Sequence, residues 1–314
     1  MRNHPRSVRA FAPATVANVS CGFDILGVAI EELGDEVILT ENDSGQVVIE
    51  EIVGDAGRLP REAERNTAGV AVLSFLKARG IDKGVGIRLL KNLPLGSGMG
   101  SSAASAVAAL VAANELTGVR CPKEELLVHA LEAERIACGA AHADNVAPSL
   151  LGGFVLVRSY DPLDVIRVPS RAELFVVLVH PHLEVKTEYS RKILRQTISV
   201  QNSIQQSGNV AALMVGLMKP DLALIGRSLT DVIAEPSRAL FIPGFDDIRK
   251  AALTAGALGC GISGSGPTLY ALAATETLAQ HIGNATQKSF LRHGLASDVV
   301  TSRVNEEGAA LRSL

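Results

Sequence analysis

With 314 residues, 47% of them hydrophobic, and a formal net charge of −3, the chain can bury the core of a two-domain globular protein. Its 30 basic residues are spread along the sequence, which excludes the charge footprint of a nucleic-acid or membrane-surface binder. The cysteines Cys21, Cys121, Cys138 and Cys260 lack metal or redox spacing, the basic start lacks a signal peptide's apolar stretch, and no segment reads as a membrane span, so a cytoplasmic address is the expectation.

Residues 8–12 read as a first strand, running into a loop-rich, nearly uncharged stretch, 13–30, interrupted by Pro13, Gly22 and Gly27. Within it Asn18 and Asp24 are the strong hydrogen-bonding groups among apolar neighbours, and buried polar groups are costly unless paired. A turn residue and a helix cap would account for them equally. Residues 37–41 and 46–52 read as paired strands around the turn residues 42–45. Asn66 or Thr67 can cap a helix that ends at Gly80, and residues 85–90 form a strand leading into the next bend.

That bend is Pro94, Leu95, Gly96, Ser97, Gly98, Met99, Gly100, Ser101, Ser102 and Ala103. Its glycines permit positive φ angles and close approach, and Ser101 and Ser102 open a small-residue helix whose first N–H groups lack partners: the shape of an anion cradle. It is not a P-loop, since serines rather than a lysine follow Gly100, and not a dinucleotide fingerprint, since Ser101 stands where the third glycine belongs. A glycine-rich turn before a tightly packed alanine helix explains the same residues.

Pro122, Glu124 and Glu125 announce a helix to about residue 138. Leu127, Ala130, Leu131, Glu134 and Cys138 share one face, so Glu134 points with the apolar stripe. Such a carboxylate must find a cation, a metal or donors; a buried Glu–Arg pair and a Mg²⁺ ligand are both open. Residues 139–153 form a second glycine-bounded loop carrying His142, Asp144 and Asn145, and residues 159–169 make the junction between domains 1–165 and 166–314.

In the second half, 174–179 is a buried strand and 188–199, 210–218 and 221–233 are helices. Arg191 and Arg238 are the cations suited to an anionic group, Arg238 within the constrained Glu235-Pro236-Ser237-Arg238 segment. Residues 256–273 are a second glycine cluster between a helix from about Asp246 and a strand, 268–272; it could complete the cradle or be a tight crossing. A helix over 276–292 and a strand over 298–301 close a split β-α-β pattern.

Three segments, PATVANVSCGFDILGVAI (13–30), PLGSGMGSSAAS (94–105) and GCGISGSGPT (259–268), resemble in order and spacing the motifs of the galactokinase, homoserine kinase, mevalonate kinase and phosphomevalonate kinase superfamily. Asn18 with Asp24, HADNVAPSLLGG (142–153), Thr187 with Arg191, and EPSRALFIPGF (235–245) resemble the members acting on homoserine. The resemblance implies an α+β, two-domain small-molecule kinase fold: an N-terminal domain like domain 2 of ribosomal protein S5 and a ferredoxin-like C-terminal domain.

It further implies ATP phosphates on Pro94 to Ala103, with Asn66 and Lys91 toward the adenosine, and Mg²⁺ on Ser102 and Glu134. L-homoserine would be held by Asn18, Asp24, His142, Asp144, Thr187, Arg191 and Arg238, the arginines on its carboxylate and Asp24 or Asp144 on its ammonium. Asn18, Asn145 and Arg191 are the catalytic candidates. Asn145 stands where mevalonate kinase carries an aspartate proposed as base, which implies direct attack by the substrate hydroxyl. Phosphoryl transfer asks mainly for positioning and charge neutralisation. A homodimer is also implied. The alternatives are a sister enzyme acting on mevalonate or a sugar, and a non-catalytic ligand sensor on the same fold.

Overall fold

The computed structural model describes residues 6–314 apart from the side chains of Ala137 and Cys138, so the first five residues of the basic start and the place of Cys138 on its helix face lie outside the described residues. The first half contains β1 (Ser7–Ala17), β2 (Leu26–Asn42), β3 (Val47–Val53), α1 (Thr67–Ala78), β4 (Gly84–Leu90), α2 (Ser101–Thr117), α3 (Leu127–Cys138), α4 (Ala143–Leu151), β5 (Phe154–Tyr160) and β6 (Leu163–Val168). The long β2 pairs with β1 on one edge; on its other edge it pairs with β5 early and with β4 late.

Residues 37–52 are not a hairpin. β4 lies between β2 and β3 and runs parallel to β3, because α1 links them as a crossover that must cover one face of the sheet. The stretch 13–30 is more ordered than its glycines and proline suggest: β1 continues to Ala17 and β2 begins at Leu26. Pro13 is tolerated because the register shifts between Pro13 and Thr15.

The expected loop at 139–153 contains α4, with Pro148 inside it. Proline has no N–H for the carbonyl four residues back, which is that of Asp144. Gly27 packs on that carbonyl oxygen, which would lie 1.8 Å from a Cβ at that position. Residues 159–169 are not a junction but the β5–β6 hairpin, so the division expected between residues 165 and 166 falls inside β6.

The second half contains β7 (Phe175–Pro181), α5 (Thr187–Lys192), α6 (Val200–Met218), α7 (Leu222–Ser228), α8 (Glu235–Arg238), α9 (Phe245–Thr254), β8 (Gly259–Ile262), β9 (Leu269–Ala273), α10 (Glu276–Arg292) and β10 (Ser297–Arg303). The strand order β10-β7-β9-β8, antiparallel throughout, is that of a ferredoxin-like βαββαβ unit. Its own core gathers Val177, Ile248, Ile282 and Phe290 from the sheet, α9 and α10.

The helical expectations at 188–199 and 221–233 break where Ser199 caps a longer α6 and Asp221 caps a shorter α7. A final strand, β11 (Ala310–Arg312), returns to pair with β1. The first sheet, α2 and the β7 and β9 faces share one core, in which Val28, Ala104, Leu178 and Leu272 are all buried.

α2 is buried nearly all round, through Ala103, Ala104, Ala106, Ala108, Ala109, Ala112 and Ala113, and such small residues let its axis approach the sheet closely. Its first turn is tied down by a fully buried ion pair. Asp35 on β2 meets the Lys91 ammonium and accepts bonds from the N–H groups of Asn92 and Leu93 at 3.0 Å each. Lys91 Nζ also donates to Ser101 O at 2.9 Å, Ser101 Oγ at 2.6 Å and Ser105 Oγ at 2.8 Å. Removing one partner strands the other charge in the core, so Asp35→Ala should lower the unfolding free energy by about 3–5 kcal/mol, read from urea titrations. A loss below about 1 kcal/mol would mean the lysine finds other partners.

Candidate active site

The first glycine bend meets the other two motif segments directly. Gly98 and Gly100 adopt φ of +81° and +71°. A Cβ at Gly98 would sit 2.4 Å from Ser263 O, and one at Gly100 would sit 2.1 Å from Thr15 Oγ1. Close backbone approach therefore requires glycine at both. Ser263 Oγ donates to Gly98 O at 2.8 Å, Thr268 N to Ser97 O at 3.2 Å, Thr15 N to Met99 O at 3.1 Å and Gly264 N to Ala17 O at 3.2 Å. The second glycine cluster thus backs the first, as the β8–β9 turn.

The bend ends at Gly100, the N-cap of α2, which offers no side chain to the first-turn N–H groups. α1, α6, α7 and α10, by contrast, are capped by Asn66, Ser199, Asp221 and Thr275. A 17-residue helix with an uncapped start beside a cavity is a site for an anion. The Ser102 hydroxyl, in that first turn, has no hydrogen-bond partner among the described residues and lines the cavity.

That cavity, about 690 Å³, is large enough for a small substrate with a nucleotide. Asn18, Asp24, Asn66, Lys91, Leu95, Gly96, Ser97, Gly98, Gly100, Ser101, Ser102, Glu134, His142, Asp144, Asn145, Thr187, Arg191 and Arg238 all line it. Pro94, Met99 and Ala103 do not; Met99 and Ala103 are buried behind the bend.

Two residues expected toward the adenosine spend their polar atoms on the protein. Lys91 is held as described above, and Asn66 accepts from Ala68 N at 3.0 Å while donating to Pro60 O at 2.9 Å. The cavity also takes in Leu59, Pro60, Ile136 and Ser265, which sequence reasoning missed. Ser265 had a signal in its glycine cluster; apolar wall residues carry none.

Glu134 is buried, and its ion partner among the described residues is a histidine: its Oε2 accepts from Nδ1 of His142 at 3.0 Å. Nε2 of the same ring accepts from Arg191 Nε at 3.3 Å, which assigns His142 the Nδ1–H tautomer. Arg191 then grips Asp24 with both terminal nitrogens, at 3.1 and 2.9 Å. The order Glu134–His142–Arg191–Asp24 thus joins α3, α4, α5 and the β1–β2 turn into one oriented relay. Asn18 takes up Asp24 N at 3.0 Å and donates to Gly264 O at 3.0 Å. Asn145 Oδ1 accepts from Thr15 Oγ1 at 2.9 Å, and its amide nitrogen has no hydrogen-bond acceptor among the described residues.

Among the described residues no cluster of three or more His, Cys, Asp and Glu could cage a metal. One carboxylate and one hydroxyl, Glu134 and Ser102, fit instead a hard cation that keeps water and substrate phosphates as its other ligands, the habit of Mg²⁺.

Residues 66–153 match the family model of the GHMP kinase N-terminal domain, and residues 213–291 that of the GHMP kinase C-terminal domain. A homoserine kinase of Chlorobium phaeobacteroides is 54% identical, the match spanning 97% of this chain and 99% of the relative. The crystal structure of homoserine kinase from Cytophaga hutchinsonii superposes with a TM-score of 0.95 at 53% identity, covering 98% of this chain and 97% of that one. The mevalonate kinase of L. major, at 19% identity and a TM-score of 0.72, covering 98% of this chain and 99% of that one, shares the fold.

Two charged groups in the cavity wall are held at an energetic cost. Arg238 is buried, which lowers its guanidinium's affinity for a proton, while Asp24 acts in the opposite direction. It donates through Nη1 to Gly264 O at 2.7 Å and lies 5.2 Å over the Phe23 ring. Asp144 is buried with Oδ1 lacking any hydrogen bond. Burial first, then the nearby Asp24 charge, pushes its carboxyl from 3.8 up to about 6, against the pull of Arg191.

Between those values the folded state holds a proton that the unfolded chain has released. The stability this lends is full below about 4 and lost as pH rises through about 6. Asp144→Asn removes the buried charge, so its melting temperature should exceed the parent's by a margin that widens from pH 5 to pH 8, equivalent to on the order of 1–3 kcal/mol. A margin independent of pH would contradict this account.

Proposed function

Since the chain belongs to the GHMP kinase family and stands with its homoserine kinases, we propose that it transfers the γ-phosphoryl group of ATP to the side-chain hydroxyl of L-homoserine, giving O-phospho-L-homoserine and ADP in threonine biosynthesis. The observation that carries this reading is the convergence, in one cavity, of an uncapped helix start with side-chain charges of both signs.

Asp24, Asp144, Arg191 and Arg238 supply two charges of each sign. A zwitterionic amino acid adds one more of each, so every buried charge keeps an opposite neighbour. Mevalonate, with a carboxylate alone, would leave the aspartates short of a cation, and a sugar would leave both signs unanswered. In this reading Arg238 and Arg191 take the carboxylate, and Asp24 and Asp144 the ammonium. Thr187, whose hydroxyl lies 3.2 Å from that of Ser265, flanks the substrate.

The first-turn N–H groups of α2 and the bend's backbone hold the triphosphate. Ser102 and Glu134 are the residues that would hold Mg²⁺, which when bound neutralises phosphate charge as it moves toward the leaving oxygen. His142 fixes the orientation of Glu134. The homoserine oxygen forms its bond to the γ-phosphorus as the bond to the β–γ bridging oxygen breaks, and ADP departs.

Asn145, its oxygen occupied by Thr15, donates through its amide toward the reacting oxygens. Asn18 acts through Asp24. Neither asparagine can take the hydroxyl's proton, which passes to the transferred phosphate or to water. The reaction is placed in the cytoplasm.

An ADP-release assay with L-homoserine, mevalonate and galactose separates this reading from its rivals. Turnover with L-homoserine alone, and a phosphomonoester signal in the ³¹P spectrum, is the expected result. Turnover with mevalonate or galactose would move the chain to a sister activity, and none with any acceptor would leave a ligand sensor. Glu134→Gln should lower kcat by at least about 100-fold while the melting temperature stays within a few degrees.

A further inference from the structure

Behind the cavity wall, a buried amide ties together two segments that carry substrate-facing residues. Over residues 200–212, the N-terminal two-thirds of α6, Gln206 alone is buried, while Val200 and Ile204 are 77% and 68% exposed. Gln206 therefore does not dock that stretch as part of an apolar stripe. Its Nε2 donates to Cys21 O at 2.7 Å and to Asp231 Oδ1 at 3.1 Å, and its Oε1 accepts from Val232 N at 3.0 Å.

Each partner belongs to a segment that sets a substrate-facing residue. Cys21 lies in the β1–β2 turn between Asn18 and Asp24, and Asn18 fixes Asp24 through the bond to its N–H. Asp231 collects the N–H groups that open α8: Ile233 at 2.7 Å, Ala234 at 3.1 Å and, through Oδ2, Glu235 at 2.9 Å. Arg238 ends that four-residue helix, its own N–H bonded to Ala234 O at 3.0 Å. The turn that aims Asp24 and the cap that aims Arg238 are thus joined through a single carboxamide.

We propose that Gln206 is a positioning residue that sets the separation of Asp24 and Arg238, and with it the affinity for the amino acid substrate. The proposal rests on reading those two residues as the amino acid's anchors. Only an amide serves both sides. Its nitrogen meets two acceptors while its oxygen meets a donor, and a buried acceptor left without its donor is costly. Glutamate at this position would keep the shape and the Val232 bond but set a third acceptor against Cys21 O and Asp231. Methionine would keep the volume and lose all three bonds.

The test uses the full-length enzyme with ATP and L-homoserine and compares Gln206→Met, Gln206→Glu and Arg238→Ala. Both Gln206 variants should raise the KM for L-homoserine about tenfold, with the KM for ATP within about twofold and the smaller effect on kcat. A lower melting temperature with both KM values unchanged, equal rises in the two KM values, or loss of folded protein in both variants overturns the proposal. Arg238→Ala separates the two levels of argument. If it leaves the L-homoserine KM unchanged, the anchor reading fails. If it raises that KM and the Gln206 variants do not, only the positioning role falls.

Discussion

The site depends first on the ammonium of Lys91, which lies out of solvent against the Asp35 carboxylate, two serine hydroxyls and the Ser101 carbonyl. Desolvating such a pair is expensive, and a core of plain apolar residues would often be as stable. What the pair supplies here is position. It ties the end of β4 to the first turn of α2 and to β2, so the uncapped N–H groups that face the cavity do not depend on the glycine bend for their placement. The lysine closest to the bend in sequence is thereby already neutralised by the framework.

In the wall that carries Asp144 and Arg238, the molecule accepts local instability. Asp144 is buried with an unpaired oxygen, and Arg238 has lost most of its hydration to burial. Both conditions would be relieved by substitution, yet both hold a charge at a buried position in the cavity wall, where an opposite charge interacts more strongly than it would in water. The Asp24–Arg191 pair moderates the arrangement.

The two halves of the chain contribute to the site through shared packing. The β8–β9 turn supports the glycine bend, α5 and α8 bring Arg191 and Arg238, and β11 returns to the first sheet. Small-residue packing around α2 and the glycines at Gly98 and Gly100 keep these backbones close enough for direct hydrogen bonds. In such an arrangement a residue outside the cavity lining, as Gln206 is, can still be bonded to segments that carry lining residues.

The sequence by itself determined the local features. A cap at Asn66 or Thr67, the strand leading into the glycine bend, α10, and the inward face of Glu134 each follow from propensity or periodicity within a few residues. The motif resemblance then placed the fold and brought together many of the residues that line the cavity, with Pro94, Met99 and Ala103 outside the lining and Leu59, Pro60, Ile136 and Ser265 missed.

Tertiary structure alone decided the pairing of strands, where β4 intervenes between β2 and β3, and the nature of 139–153, where a helix contains a proline because Gly27 leaves room for the freed carbonyl. It also decided the partners of the charges. Among the described residues Glu134 meets a histidine, Lys91 meets Asp35, and Asp144 meets no donor at Oδ1. The physical reason is the same in each case. Spacing along a chain fixes which way a side chain points, but what it meets belongs to segments far away in sequence, and an ion pair or hydrogen bond exists only once both are in place.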